Sequence, residues 1–177
     1  YNLERPAAGK GGGGGGPGST VREEFPDTAF WAPAVQTDSE GNATVTVDLP
    51  DTLTTWRLTA QAVTKETEVG KAYADVVSTL DVMIRPAVPR FFVIDDQPIL
   101  GAAIHNNTAR ELQMTVALAA DGLTVEAAEQ TIAVPARSRR PVSWPVHVEA
   151  VESAELQFSV SGGTYADAVR LSLPVYH

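Results

Sequence analysis

The sequence predicts an all-β protein: tandem immunoglobulin- or fibronectin-like β-sandwiches, the first of them incomplete, behind a glycine-rich N-terminal segment. Three observations carry this. From Ala43 onward apolar and polar residues alternate with period two, the pattern of strands that bury one face. After Pro89, seven short apolar runs recur at regular spacing over about ninety residues, each bounded by turn residues, the signature of a sandwich. No stretch shows helical periodicity.

The chain opens on low complexity. Residues 7–20 read Ala-Ala-Gly-Lys-Gly-Gly-Gly-Gly-Gly-Gly-Pro-Gly-Ser-Thr, and Gly11–Gly16 offer no side chain to bury while losing the most backbone freedom on ordering. Residues 1–20 are therefore expected to be a disordered linker or flank. Arg5 and Lys10 make it a candidate for cleavage by trypsin-type proteases, with Pro6 protecting the bond after Arg5. A phosphate-binding loop needs Gly-Lys-Ser/Thr between a buried strand and a helix, and neither context is present.

Residues 21–85 contain two dense strings, Phe25-Pro26-Asp27-Thr28-Ala29-Phe30-Trp31 and Leu49-Pro50-Asp51-Thr52-Leu53-Thr54-Thr55-Trp56. A turn at Thr37–Asn42 precedes an expected strand in which Ala43, Val45, Val47 and Leu49 share a face. Trp56, Leu58, Ala60 and Ala62 then alternate with Thr55, Arg57, Thr59 and Gln61. Further strands are expected at about Lys71–Ser78 and Leu80–Ile84. Three or four strands cover only one side of a sandwich, so this half needs partner strands.

Pro86 and Pro89 mark the expected boundary of a second, complete domain, residues 86–177. Its strands are Phe91–Ile94, Ile99–His105, Leu112–Leu118, Gln130–Val134, Val142–Val148, Ala154–Val160 and Ala166–Leu173. Turns are expected at Asp95–Pro98, Asn106–Thr108, Asp121-Gly122, Ala136–Ser138 and Gly162-Gly163. Within Val142–Val148, Trp144 falls on the core face, and the outward Pro145 suggests an edge strand.

Composition excludes several functions. The net charge of −9 is spread along the chain, with 7 basic and 12 acidic residues before Pro86 and 6 and 10 after it. No basic face is available for nucleic acid. The absence of cysteine removes disulfides, thiolate metal sites and thiol catalysis. No apolar run reaches the length of a membrane-spanning helix, and Tyr1–Pro6 lacks the pattern of a signal peptide. The chain looks like an excised piece of a larger protein, with any signal or membrane anchor lying elsewhere in it.

Chemistry is sparse. His105, His147 and His177 have no second ligand at metal-binding spacing, and Asp95-Asp96 reads as a hairpin turn rather than a calcium loop. No serine sits in a nucleophile elbow. Arg137-Ser138-Arg139-Arg140 reads as a solvated loop. Asn42-Ala43-Thr44 and Asn106-Asn107-Thr108 match the glycosylation sequon, a pattern common by chance. No catalytic, metal or cofactor site is assigned.

The two strings resemble a known family, the α2-macroglobulins and complement components, most closely the bacterial members. A phenylalanine-proline-acid-threonine string ending in tryptophan matches Phe25, Pro26, Asp27, Thr28 and Trp31, with the family's basic residue at Arg22. A Leu-Pro-Asp-x-x-Thr-Thr-Trp element matches Leu49, Pro50, Asp51, Thr54, Thr55 and Trp56. Arg85–Phe92 and Asn106-Asn107-Thr108 also look like the family, so the resemblance covers about residues 21–177.

The resemblance implies a structural and interaction segment of a large, non-enzymatic, broad-spectrum inhibitor of endopeptidases. Such proteins are strings of macroglobulin-type sandwiches. A protease cuts a flexible bait region inserted in one sandwich, and the ensuing conformational change traps it. Residues 1–20 would be the flank of the bait. Residues 21–85 would be the second part of the split sandwich, and 86–177 the next macroglobulin domain. Partners would be target endopeptidases and the neighbouring macroglobulin and thioester-bearing domains of the parent, at a periplasmic or cell-surface location. The thioester motif itself is absent, so this segment cannot form the covalent tether. An adhesion module on a glycine-rich stalk is the alternative.

Overall fold

Strand pairing divides the protein at Leu80/Asp81. The computed structural model describes residues 21–177, so Arg5 and Lys10 lie outside the described residues. Two compact units result: Arg22–Leu80, and Asp81–His177, with which Val21 is grouped. All regular structure among the described residues is β.

The larger unit is a sandwich. One sheet has the order β4 (Val82–Ala87), β6 (Ile99–Asn106), β10 (Ser138–Val148), β8 (Leu123–Val125). The other runs β1 (Val21–Arg22), β12 (Tyr165–Tyr176), β11 (Ser153–Gly162), β7 (Leu112–Asp121), β9 (Glu129–Val134), with β5 (Phe92–Val93) pairing in parallel to the end of β12. Alternation decides which side chains enter. Leu100, Ala102 and Ile104 of β6 and Val142, Trp144, Val146 and Val148 of β10 face Met114, Val116 and Leu118 of β7 and Ala154, Leu156, Phe158 and Val160 of β11. Trp144 is fully buried and meets the Phe158 ring edge-on, with centroids 5.7 Å apart. Each large apolar side chain removed from water contributes about 1.5–3 kcal/mol, so this layer holds the sandwich together.

All seven strands expected after Pro89 form, with shifted ends, and four readings change. First, β4 belongs to the sandwich: Val82–Ala87 pairs with Asn106–Gly101, moving the boundary five residues ahead of Pro86. The prolines misled because Pro86 tolerates a ladder position on an edge strand. Second, Asp95-Asp96 is no hairpin. It carries the chain from the β5 sheet to the β6 sheet, with Asp95 at a φ of 66°. Third, Asp121-Gly122 is likewise a corner between sheets, leading into the short β8 that periodicity could not reveal. Gly122 has a φ of 81°, and a Cβ there would stand 2.8 Å from Val151 Cγ2. Fourth, Ser138–Arg140 opens β10 rather than forming a loop, the bend being made by Arg137 at a φ of 49°.

Pro145 is a partial success. β10 lies inside its sheet, but β8 covers only Val146–Val148. Along Ser138–Trp144 the strand pairs with β6 on one side alone, and at Pro145 the far side takes one bond, from the Glu126 amide to the Pro145 carbonyl at 3.2 Å. The Ser143 carbonyl points the other way, to the Gln130 side chain at 2.9 Å. Pro141 and Pro145 share its parity, so their missing N–H groups fall on the unladdered side.

The sequon at Asn106 is a structural device. The buried Asn106 amide donates to the carbonyls of Arg110 (2.8 Å), Val134 (3.0 Å) and Pro135 (3.1 Å). Its oxygen accepts from the Thr108 amide and hydroxyl at 3.0 and 2.7 Å. Asparagine supplies donor and acceptor together, which few side chains of this size do.

The smaller unit carries one regular element, the hairpin of β2 (Thr55–Val63) and β3 (Val69–Val77). Its turn is closed by bonds from Thr64 N to Glu68 O (2.9 Å) and from Thr67 N to Thr64 O (3.1 Å). The strand expected over Ala43–Leu49 does not form. Val45 and Leu49 are exposed, and among the described residues no strand pairs alongside to complete a ladder.

Candidate functional site

Register sorts the hairpin into two unlike faces. Trp56, Leu58, Ala60 and Ala62 stand opposite Val76, Ala74, Ala72 and Gly70, so one face is apolar along its whole length. The other presents Thr55, Arg57, Thr59 and Gln61 opposite Val77, Asp75, Tyr73 and Lys71. Arg57 grips Asp75 through two hydrogen bonds of 2.9 and 3.0 Å. Those bonds raise the arginine's pKa and hold the aspartate below the usual carboxylate range. Lys71 lies over the Tyr73 ring, 5.0 Å from its centroid. The polar face is thus complete on its own, while Leu58, Ala60, Ala72 and Ala74 of the apolar face remain exposed.

The second string reaches back through Asp51 to the residues just ahead of the first. Asp51 Oδ2 accepts from the backbone amides of Glu23 (2.8 Å) and Glu24 (3.1 Å), and the Asp51 amide donates to the Glu24 carbonyl at 3.1 Å. Arg22 donates to the Asp51 carbonyl at 3.5 Å, with its guanidinium 5.9 Å from the centre of the Phe25 ring. Asp51 therefore pins the backbone that leads into the first string. Pro50 positions it by fixing φ where the second string turns.

The other string residues serve differently. Thr54 accepts the Ser78 amide at 2.8 Å and closes the hairpin base from which Thr55 and Trp56 start. Phe25, Pro26, Asp27, Thr28 and Trp31 are exposed, Trp31 by 81 %. Thr52 Oγ1 and the Trp56 indole nitrogen are both shielded from solvent without a hydrogen-bond partner among the described residues.

Among the described residues the titratable groups form no catalytic constellation. His105 lies on β6 beside Arg85 and Arg139, and its pKa is lowered first by partial burial and then by these two charges. His147 Nε2 lies 4.0 Å from Asp95 Oδ1, a pairing made across the sheet corner that local spacing cannot reveal. Among the described residues no group of three His, Asp or Glu is placed to hold a metal.

Comparison with known proteins agrees with the family resemblance. The model of the alpha-2-macroglobulin family matches residues 28–118. The chain is 31 % identical over 159 residues to the alpha-2-macroglobulin of Thermotoga maritima, covering 88 % of this chain and 10 % of that one. It is 29 % identical over 160 residues to an alpha-2-macroglobulin homolog of Nostoc, covering 88 % and 8 %. In structure it is similar to trypsin-activated alpha-2-macroglobulin from Escherichia coli, with a TM-score of 0.70 at 23 % identity over 78 % of this chain and 10 % of that one. The chain thus spans about a tenth of the length of these proteins, and its sheets are those of macroglobulin-type sandwiches. The family match spans more than half the chain, with the second string and residues 28–31 of the first inside it, so this chain belongs to the alpha-2-macroglobulin family.

Proposed function

We propose that this chain is a structural and interaction segment of a bacterial inhibitor that traps endopeptidases after they cut its bait region. In this reading residues 1–20 are the downstream flank of the bait. The Arg22–Leu80 unit is the second part of the sandwich that the bait interrupts, and Asp81–His177 is the macroglobulin domain that follows. The parent would act in the periplasm or at the cell surface, and its neighbouring macroglobulin and thioester-bearing domains are the segment's immediate partners.

One observation carries the reading: the β2–β3 hairpin has a continuous apolar face from Trp56–Val76 to Ala62–Gly70, exposed from the Leu58–Ala74 pair onward. An isolated two-stranded ribbon of this kind is marginal in water. Strands supplied from ahead of the bait would cover it, and they would give Thr52 Oγ1 and Trp56 Nε1 the partners they lack.

The test is trapping by the full-length parent. Incubation with trypsin or elastase should yield cuts within or just ahead of residues 1–20. The protease should then lose activity on a large protein substrate while keeping it on a short chromogenic peptide. Cleavage that leaves both activities intact would overturn the reading.

A further inference from the structure

We propose that the Arg22–Glu23 peptide bond is a latent cleavage site for trypsin-like proteases, held shut by Asp51. The proposal rests on the reading of residues 1–20 as a segment that proteases reach, and it assigns that segment a downstream limit. Arginine is the residue after which such proteases cut, and Arg22 is the first basic residue beyond Lys10. Hydrolysis would consume one water, leaving a carboxylate on Arg22 and an α-amino group on Glu23.

The geometry denies a protease both handles it needs. A protease takes its substrate as an extended strand, pairing with the backbone and burying the arginine in its own pocket. Here Arg22 is only 9 % exposed, its guanidinium set against Phe25 and the Asp51 carbonyl. The amide of the bond to be cut, Glu23 N–H, is held by Asp51 Oδ2 at 2.8 Å, and the next amide, Glu24 N–H, by the same oxygen at 3.1 Å. The Asp51 N–H bond to Glu24 O completes the grip. Cleavage at Arg22 thus requires both these bonds and the sheet pairing of β1 (Val21–Arg22) to open, and its rate follows the population of the opened state. A protease that cuts within residues 1–20 stops short of Glu23, so the segment leading into the first string stays fastened to the second.

The test is limited trypsin digestion of the whole chain, with each new N-terminus identified by mass, for the wild type, Asp51→Ala and Asp51→Asn. The comparison is made at one bond between variants, so any slowing by the acidic Glu23 and Glu24 cancels. The wild type should be cut after Lys10 and stay intact after Arg22. Asp51→Ala should be cut after Arg22 at least tenfold faster. Asp51→Asn, which keeps one acceptor oxygen, should fall between them, and Arg22→Gln in the Asp51→Ala background should abolish the new cut. Cuts after Arg57, Lys65 and Lys71 serve as the internal standard for folding and should change less than twofold. An unchanged rate at Arg22 in Asp51→Ala would overturn the proposal, as would a parallel rise at Arg57, Lys65 and Lys71. A wild type cut as readily after Arg22 as after Lys10 would overturn it too. A wild type resistant after Lys10 would instead count against residues 1–20 as a bait flank, with the latch still judged by the Arg22 rates.

Discussion

The backbone amide of Ile84 donates to Asp167 Oδ2 at 2.8 Å, a buried bond from β4 in one sheet to β12 in the other. Asp167 is 2 % exposed, so its carboxylate replaces water with the amide at the sandwich edge. This bond helps place β4 in the Asp81–His177 unit.

Removing that acceptor should weaken the sandwich. Asp167→Ala removes the buried carboxylate that accepts the Ile84 amide and is expected to cost about 1–3 kcal/mol. Asp167→Asn, which keeps an oxygen, should cost less. Urea unfolding followed by circular dichroism reads both values.

Asn106 should prove at least as sensitive. Asn106→Ala deletes the acceptor for Thr108 and the donor shared by three carbonyls, and is expected to cost about 2–4 kcal/mol. Asn106→Asp restores only the acceptor half and should recover little. The same unfolding measurement tests both.

Much of the sandwich was legible because each of its strands buries one face, and burial writes period two into the sequence. Trp144 was placed in the core by its parity with Val142 and Val146, and it lies there fully buried. What escaped depended on pairings made at a distance. β8 has three residues, too few to show a period. β4 reads from sequence as part of the first half because Pro86 punctuates its end, whereas its partners on β6 lie about twenty residues on. At the candidate site the strings were visible but their junction was not. Nothing local says that Asp51 reaches back to Glu23 and Glu24. Ala43–Leu49 has the pattern of a strand and, among the described residues, no strand to pair with.

Glycine packing gives a graded prediction. A Cβ on Gly162 would stand 2.5 Å from the Gln113 carbonyl oxygen and 2.7 Å from Met114 Sδ. Gly162→Ala is therefore expected to cost about 1–3 kcal/mol through overpacking. Gly101→Ala, whose nearest neighbour would be 3.8 Å away, should be close to neutral. Thermal melts of the two variants should separate accordingly.

His105 links stability to pH with a definite sign. Its folded pKa lies below the ordinary 6.5, because burial and then Arg85 and Arg139 disfavour the imidazolium. The unfolded chain binds the proton more readily, so this contribution is complete above pH 6.5 and is lost as pH falls towards and through the folded pKa. Arg139→Ala should raise the pKa part of the way back, leaving the larger effect of burial. An NMR titration of the His105 ring protons measures both values.

The central claim, that Arg22–Leu80 is one part of an interrupted sandwich, is tested most directly by amide hydrogen exchange. The measurement compares this chain alone with a longer chain that carries the parent's upstream domain. Alone, Thr55–Val77 should exchange orders of magnitude faster than β7 and β11, because its apolar face has no cover. In the longer chain its protection should rise towards theirs. Equal protection of the hairpin and the sandwich strands in the isolated chain would contradict the claim.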